Sequence, residues 1–134
     1  MRDSDEMRRR LAGGRVARLA MLSADGAPRL VPVCFVVERD LIHTAVDGKP
    51  KSTRRLARLA AIRRDPRVSL LVDEWSEDWS RLWWVRAEGR ARVADLDAAV
   101  AARLAAKYPQ YRAEPPGGPM IEIAVERWTG WSAA

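Results

Sequence analysis

The sequence predicts a mostly β protein in which short helices accompany about six antiparallel strands. Short apolar runs separated by turn signals recur along the chain, and the pattern of alternating strands and helices that a parallel sheet requires is absent. Closure of the strands into a small barrel would remove exposed sheet edges. The chain has 134 residues, room for one hydrophobic core, so we assign residues 1–134 to a single domain.

The first half of the chain is predicted to form a helix and three strands. Asp3 and Glu6 have the spacing of a capping box at a helix start. The Asp25-Gly26 pair is a turn signal between the first two strands. Pro32 cannot donate a ladder hydrogen bond, so it predicts a sheet edge, a bulge or a split between strands, where a ligand could meet the backbone. The predicted ranges are a helix over residues 4–13 and strands over residues 16–22, 29–37 and 41–46.

The second half is predicted to form two helices and three strands. Ser52 is a suitable N-cap and Pro66 a stop for the second helix. Gly89 indicates a bulge within a long strand, and Asp95 or Asp97 precedes an alanine-rich helix. A proline-rich loop, YPQYRAEPPGGP, leads to the last strand. The predicted ranges are helices over residues 52–64 and 98–107 and strands over residues 68–73, 79–93 and 120–128.

The positive charge is concentrated in one segment. Residues 47–67, DGKPKSTRRLARLAAIRRDPR, contain eight basic and two acidic side chains, while the rest of the chain has 16 of each. The formal net charge of +6 therefore belongs to this segment. A neutral body with one basic segment favours a defined anion site over an extended nucleic-acid or membrane surface.

The start of the second predicted helix is the candidate anion site. A helix N-terminus exposes unpaired N–H groups and has about half a positive charge. Arg55 lies one turn beyond Lys51 and could reach the same anion. We therefore predict phosphate binding by Lys49, Lys51, Ser52 and Arg55. A solvated helix face is the alternative for a charge run, and it better fits Arg58, Arg63, Arg64 and Arg67.

Several classes of site are disfavoured by the motifs. The glycine patterns of P-loop and Rossmann sites are missing. The single cysteine, Cys34, and the single histidine, His43, fit ordinary strand positions, so we predict no catalytic side chain and no metal ligand. No apolar run has the length of a signal-peptide core or a membrane span. We expect a cytoplasmic protein that binds neither membranes nor nucleic acid.

Tryptophan is abundant, with six residues: Trp75, Trp79, Trp83, Trp84, Trp128 and Trp131. In the long predicted strand, Trp83 and Trp84 point to opposite faces, so both faces have large apolar groups. This suits a barrel wall that is also a subunit interface, where tryptophan and arginine are enriched. The alternative is that Trp79 or Trp131 stacks on a planar cofactor.

Six stretches together resemble a known family. They are RLVPVCFVV, LIHTAV, KPKSTRRLARLAAIRRDPRVSLLVD, DWSRLWWVRAEGRARV, KYPQY and ERWTGW. Across nearly the whole chain they resemble the pyridoxamine-phosphate-oxidase-like split β-barrel proteins. Within these, the sequence is most similar to an actinobacterial branch of small oxidoreductases that use the deazaflavin coenzyme F-420.

The resemblance implies a homodimeric enzyme with its cofactor at the subunit interface, where the cofactor performs the hydride chemistry. It implies that Val31, Pro32 and Val33 contact the cofactor ring and that Thr44 lies near its ribityl or phosphate region. Lys51, Ser52 and Arg55 would bind the phosphate. Trp79 and Trp131 of the partner subunit would also approach the cofactor. Relatives that use FMN have Ser-Arg-Lys after the third strand, where this chain has Lys-Pro-Lys-Ser, which favours F-420. The glutamate tail of F-420 would meet Arg54, Arg58 and their neighbours.

Three alternative functions remain open at this point. The chain could be an FMN-dependent flavoprotein of the same family. It could be a non-catalytic protein that stores or shuttles a flavin or deazaflavin. It could also be a basic β-barrel that binds RNA, although the concentration of charge in one segment argues against an extended RNA surface.

Overall fold

A curled antiparallel sheet with short helices forms the fold, which confirms the predicted mostly β class. The computed structural model describes residues 1–46 and 53–133, the latter without the side chains of residues 53–56. The described helices are α1 (Ser4–Ala12), α2 (Thr53–Arg64), α3 (Ala98–Lys107) and α4 (Pro109–Ala113). The described strands are β1 (Ala17–Leu22), β2 (Pro28–Val33), β3 (Val36–Glu38), β4 (Leu41–Ala45), β5 (Arg67–Glu74), β6 (Trp83–Ala94) and β7 (Met120–Ser132).

The seven described strands form one sheet in the order β2-β1-β5-β6-β7-β4-β3, and all the described pairings are antiparallel. β2 and β3 lie at opposite edges of this sheet, although only Cys34 and Phe35 separate them in the chain. Three Cα–Cα steps span at most about 11 Å. The sheet must therefore curl until its edges approach each other, which produces the predicted split barrel. The strand expected over residues 29–37 is divided at Cys34 and Phe35, a turn that we call the corner. The sheet therefore has one strand more than predicted.

The end of α3 holds this corner in place. Phe35 is fully buried; its N–H donates to the Tyr108 hydroxyl at 3.1 Å, and its carbonyl accepts from the Lys107 ammonium at 2.9 Å. The same ammonium donates to the Ala12 carbonyl at 3.1 Å, and the Tyr108 hydroxyl donates to the Arg15 carbonyl at 3.1 Å. Lys107 and Tyr108 thus join the corner to the chain that leaves α1.

Two clusters of buried apolar side chains form the core. The larger cluster fills the inner face of the curled sheet and includes Leu11 of α1 and Ile62 of α2. The smaller cluster packs α3 against β3 and β4. On the outer face, Met120 of β7 belongs to the smaller cluster, whereas the part of this face that includes Leu30 of β2 and Trp131 of β7 lies outside both clusters.

No helix in the described part of the chain combines the length and the apolar character needed to cross a membrane.

The helix caps agree in part with the predictions. Asp3 caps α1 by accepting a hydrogen bond from the Asp5 N–H at 2.9 Å. Glu6 does not complete a capping box, because its carboxylate pairs with Arg10 at 3.1 Å. Asp97, one of two candidates, caps α3. The loop predicted after α3 contains a short helix, α4, which begins with a proline at a position where no backbone donor is needed.

The long strand predicted over residues 79–93 starts later than expected. Trp79–Arg81 is a 3₁₀ helix, and Asp78 caps it by accepting from the Ser80 N–H at 3.1 Å. This cap favours a local turn over a strand. The prediction that the strand already includes Trp79 and Arg81 is therefore wrong.

Two glycines are required by the local backbone. Gly26 has a φ of 79° in the turn between β1 and β2, in agreement with the Asp-Gly signal. Gly89 lies at a register shift between β6 and β7, which confirms the predicted bulge. A Cβ atom on Gly89 would overlap the Ala124 carbonyl oxygen. Here two strands approach so closely that no side chain fits.

We expect Gly89→Ala to lower the free energy of unfolding by about 2 kcal/mol, because the new methyl group must displace strand backbone. Gly117→Ala is the matched control, since no described atom lies within 4 Å of the added Cβ. Urea denaturation of both variants measures the difference. Equal stability of the two would contradict the close approach at Gly89.

Lys107, which binds the corner, should make the free energy of unfolding depend on pH. Burial, with a smaller effect of the Arg15 cation, lowers the pKa of Lys107 from 10.5 to about 8 in the folded protein. Between these two values the unfolded chain keeps a proton that the folded protein has released, so the free energy of unfolding should rise with pH. Urea unfolding from pH 7 upward should show a smaller rise in Lys107→Met than in the wild type. The same slope in both proteins would overturn the assignment.

Candidate cofactor site

A cavity of about 760 Å³ lies between the edge strand β2 and the helix α2, and we call it the β2–α2 groove. Its described lining consists of Met21, Ser23, Ala24, Arg29, Leu30, Val31, Pro32, Ala57, Arg58, Ala60, Ala61 and Arg64. This lining has three arginines and no carboxylate. It therefore combines apolar walls with positive charge, a combination that suits an anionic organic ligand.

The sequence of α2 explains why the groove forms. Leu59 and Ile62 point into the core, while Ala57, Ala61 and Arg64 follow a spacing of three and four residues along another side of the helix. Small alanine side chains leave space between the helix and the strand. The long arginine side chain supplies charge at the end of that space.

The position of β2 at the sheet edge provides the other wall. β2 pairs with β1 on one side and has no partner strand on the other within the described sheet. Edge strands expose backbone N–H and C=O groups. Pro32 contributes a carbonyl without an N–H, which is compatible with an edge. The prediction that Pro32 indicates an edge or a split is confirmed, because β2 is an edge strand and ends one residue later.

Two of the residues predicted to contact the ring, Val31 and Pro32, line the β2–α2 groove. The third, Val33, belongs to the main core and is 6% exposed. Thr44 is 2% exposed and pairs with Ile121 of β7, so it also lies in the interior rather than in the groove lining. Contact of any of these residues with a cofactor stays a prediction.

The residues predicted to bind phosphate lie at or beyond the boundary of the part of the chain that the structure describes. Lys49, Lys51 and Ser52 lie outside the described residues. Arg55 lies in the first turn of α2, and its side chain is outside the described part. The groove does extend along α2, the helix that this segment precedes.

The two tryptophans predicted to approach a cofactor from a partner lie away from the groove of their own chain. Trp79 is 68% exposed in the 3₁₀ helix, and Trp131 is 46% exposed on β7. β7 is four strands away from β2 in the sheet order. Neither ring lines the β2–α2 groove of its own chain, and a contact of either with a cofactor in a partner subunit stays a prediction.

Of the three groove arginines, Arg29 and Arg64 were not predicted by name as site residues, whereas the family resemblance assigned Arg58 to the glutamate tail of F-420. Arg58 and Arg64 line the groove from α2, and Arg29 lines it from β2. Whether the two helix arginines bind a ligand or only form a solvated helix face stays a prediction. The guanidinium of Arg64 also donates to the Leu22 carbonyl at 3.1 Å, which joins α2 to the end of β1. The spacing of Arg64 from Ala57 and Ala61 was an available signal. No signal in the sequence indicated that α2 and β2 would line the same cavity.

Two other arginines of the basic segment, Arg67 and Arg63, are not in the described lining of the groove. Arg67 donates to the Asp65 carboxylate at 3.0 and 2.7 Å, and these bonds lower the pKa of Asp65 to about 2. Arg63 is exposed and does not line the groove. The solvated interpretation therefore agrees with the position of Arg63.

A second cavity, of about 730 Å³, lies at the ends of β5, β6 and β7, and we call it the tryptophan groove. Its described lining consists of Leu71, Asp73, Glu74, Trp75, Leu82, Trp83, Trp84, Arg86 and Trp131. Four tryptophans make it aromatic, and its two carboxylates lie beside the Arg86 cation.

The described residues contain no group of three or more His, Cys, Asp and Glu side chains that could hold a metal ion. His43 is buried in β4, with its Nε2 atom 3.5 Å from the Glu122 carboxylate of β7. Cys34 is half-buried at the corner between β2 and β3. Neither lines the two grooves.

The curled sheet and the basic groove at its edge define a class, the split-barrel proteins with a cavity between an edge strand and a helix. The chain belongs to the pyridoxamine 5'-phosphate oxidase family, whose sequence model matches residues 4–132. The match includes both grooves and the corner. The curated proteins contain no match to the chain.

Solved structures share the fold. A conserved hypothetical protein of Mycobacterium tuberculosis, Rv2991, is 21% identical with a TM-score of 0.80, over 99% of this chain and 86% of that chain. The FAD-binding protein of Mycobacterium smegmatis is 19% identical with a TM-score of 0.65, over 96% and 93% of the two chains. A FAD-binding protein of Mesorhizobium loti is 22% identical, with the same TM-score and the same coverage. At these identities the likeness concerns the fold alone.

Proposed function

We propose that the protein is an oxidoreductase that binds the deazaflavin coenzyme F-420 in the β2–α2 groove and transfers a hydride to an electron-poor small molecule. The observation that carries this proposal is the groove lining, in which three arginines and apolar side chains occur and none of the described residues is a carboxylate. A planar ring with an anionic tail matches this lining. Membership of the pyridoxamine 5'-phosphate oxidase family supports a redox function.

The residues of the groove fit such a cofactor. Leu30, Val31 and Pro32 offer an apolar wall and edge backbone groups to the ring, while Arg58 and Arg64 offer guanidinium forks to anions. The cavity volume of about 760 Å³ lies in the range of cofactor sites. The bound cofactor supplies the hydride chemistry. The protein's task is to bind the ring, orient it and exclude water from one of its faces.

An FMN or FAD flavoprotein is the second candidate. Two structures that share the fold are named FAD-binding proteins, which supports a flavin in the same groove. The number of cations favours F-420 over FMN. Arg29, Arg58 and Arg64 come in addition to the predicted phosphate residues Lys51 and Arg55. The single phosphate of FMN does not need all of these cations. F-420 has a phosphate followed by a glutamate tail, which together offer an anion to each of them.

Parallel titrations with F-420, FMN and FAD, followed by cofactor fluorescence at low and raised salt, test the proposal. F-420 should bind at least about tenfold more tightly than either flavin, and its binding should weaken with salt. Preferential flavin binding would support the second candidate instead. F-420 binding without hydride transfer to any enone or quinone would favour a storage protein, and no binding at all would refute both redox proposals.

Arginine variants test the groove itself. Arg58→Ala and Arg64→Ala should each weaken cofactor binding by about 1–3 kcal/mol, the range for losing a charge-assisted hydrogen bond. Lys51→Ala and Arg55→Ala should have effects of the same size if they bind the phosphate. Arg63→Ala is the matched control, because Arg63 is on the same helix but outside the groove lining. Affinities equal to that of the control would exclude the groove as the cofactor site.

We also infer that the protein is a homodimer that pairs through the outer face of the sheet. The part of this face with Leu30 and Trp131 lies outside both core clusters, and Leu30 is 70% exposed. Large exposed apolar side chains on one face indicate an interaction surface. A dimer through this face would allow Trp131 to approach the partner's groove, as the family resemblance implies.

Light scattering at micromolar concentration should therefore report a dimer. Leu30→Asp introduces a charge into the proposed interface and should raise the dimer dissociation constant by more than about tenfold. Ala106→Asp, at an exposed position of α3, is the control for the charge change. A wild-type monomer, or an equal effect of the two substitutions, would contradict the interface.

A further inference from the structure

The β2–α2 groove extends along α2 to the end of that helix, far from the predicted phosphate residues. Arg55 lies in the first turn of α2, and Arg64 is its last residue. Nine residues of helix separate these positions by about 13 Å. Arg64 donates to the Leu22 carbonyl, and Leu22 pairs with Pro28 at the start of β2. We call this second end of the groove the turn end, and its described lining is Ser23, Ala24, Arg29 and Arg64.

Arg29 makes no ion pair and no hydrogen bond with the described part of the chain. The nearby Asp25 carboxylate is bound within its own turn, where it accepts from the Ser23 hydroxyl at 2.5 Å and from the Ala27 N–H at 3.1 Å. These two bonds, with a smaller effect of the Arg29 cation, lower the pKa of Asp25. The guanidinium of Arg29 therefore keeps its donors for a ligand.

Arg64 is held in place but not neutralised. Its bond to the Leu22 carbonyl, at 3.1 Å, orients the guanidinium at the end of β1 and leaves its other N–H groups unused. Asp65, the next residue, accepts two side-chain bonds from Arg67 at 3.0 and 2.7 Å. Arg64 thus has no carboxylate partner among the described residues. A cation oriented by a neutral carbonyl is preorganised for an anion.

The turn end lies on the inner side of the sheet. Arg29 pairs with Met21 of β1, which belongs to the larger core cluster. Direct cross-strand partners point to the same face, so the Arg29 side chain leaves β2 on the inner face. The proposed dimer pairs through the outer face and would leave Arg29 accessible. Two guanidinium groups without a bound carboxylate therefore meet at one end of an apolar cavity.

We propose that Arg29 and Arg64 form a carboxylate subsite at the turn end, which binds an organic acid with a flat apolar body. The planar guanidinium fork matches the two oxygens of a carboxylate. Val31, Pro32 and Ala61 supply apolar lining in the same groove. In the proposed function, this carboxylate belongs either to the glutamate tail of F-420 or to the electron-poor acceptor of the hydride. The source of the carboxylate rests on the proposed function, whereas the subsite itself does not.

A matched pair of probes tests the subsite on the full chain without cofactor. The probes 2-naphthoate and 2-naphthamide have the same ring and nearly the same shape, but only the first is charged. In calorimetric titrations, 2-naphthoate should bind at least about tenfold more tightly, because only a carboxylate forms charge-assisted bonds on both oxygens. Its affinity should also fall as salt is added. Equal affinity for the two probes would overturn the proposal.

Arginine variants locate the bound carboxylate. Arg29→Gln should weaken 2-naphthoate binding about fivefold, and the fold should persist because Arg29 makes no hydrogen bond with the described residues. Arg64→Lys keeps the charge but loses the planar fork, so it should weaken binding about threefold. Arg63→Gln is the matched control, because it removes one charge from an exposed position of α2 outside the groove lining. The control should change the affinity less than about twofold. An Arg29→Gln effect no larger than this would refute the subsite.

Titrations of the wild type and Arg29→Gln with F-420, and with a form of it that ends at the phosphate, identify the source of the carboxylate. A loss of affinity for F-420 alone assigns Arg29 to the glutamate tail. Unchanged affinity for both forms assigns Arg29 to the hydride acceptor, and either result supports the subsite. An equal loss for both forms would overturn the proposal, because Arg29 would then bind the phosphate or the ring. Failure of F-420 to bind the wild type would refute the proposed function and leave the result with 2-naphthoate standing.

Discussion

The link of two residues between β2 and β3 is the constraint on which the rest of the structure depends. Cys34 and Phe35 join strands at opposite edges of a seven-stranded sheet, so the sheet has to curl. Phe35 is buried at the turn, and the side chains of Lys107 and Tyr108 bind its carbonyl and N–H. The curl creates the interior that α1 and α2 fill, and it leaves β2 as an edge beside α2. The β2–α2 groove is a consequence of this geometry.

The two grooves differ in the charged side chains of their described linings. Arg29, Arg58 and Arg64 enter the β2–α2 groove, and two of them belong to the segment that accounts for the net charge of the chain. The tryptophan groove contains Asp73 and Glu74 among indole rings. Arg86 lines the same groove, and Arg18 pairs with Asp73 at 3.6 Å, so these cations offset the two carboxylates. Among the described groove linings, uncompensated positive charge is therefore found between β2 and α2.

Local signals predicted most of the elements because their causes are local. A turn that needs a positive φ selects glycine at position 26, a cap selects Asp97, and a bulge that excludes a Cβ selects Gly89. The misses have causes outside the local pattern. Trp79 was assigned to a strand because apolar alternation continues through it, but the Asp78 cap closes a 3₁₀ turn there. The run over residues 29–37 appears continuous in sequence and is divided by the corner.

The sequence by itself determined the β class, most of the order of the elements, the interruption of regular pairing near Pro32 and the segment in which the charge lies. These follow from periodicity, backbone chemistry and composition, which neighbouring residues settle among themselves. Only the tertiary structure decided that Arg58 and Arg64 face a groove with Arg29, and that Asp73, Trp84 and Trp131 form one row. Such groupings depend on which strand or helix lies alongside which, and residues distant in the chain meet only when the sheet curls.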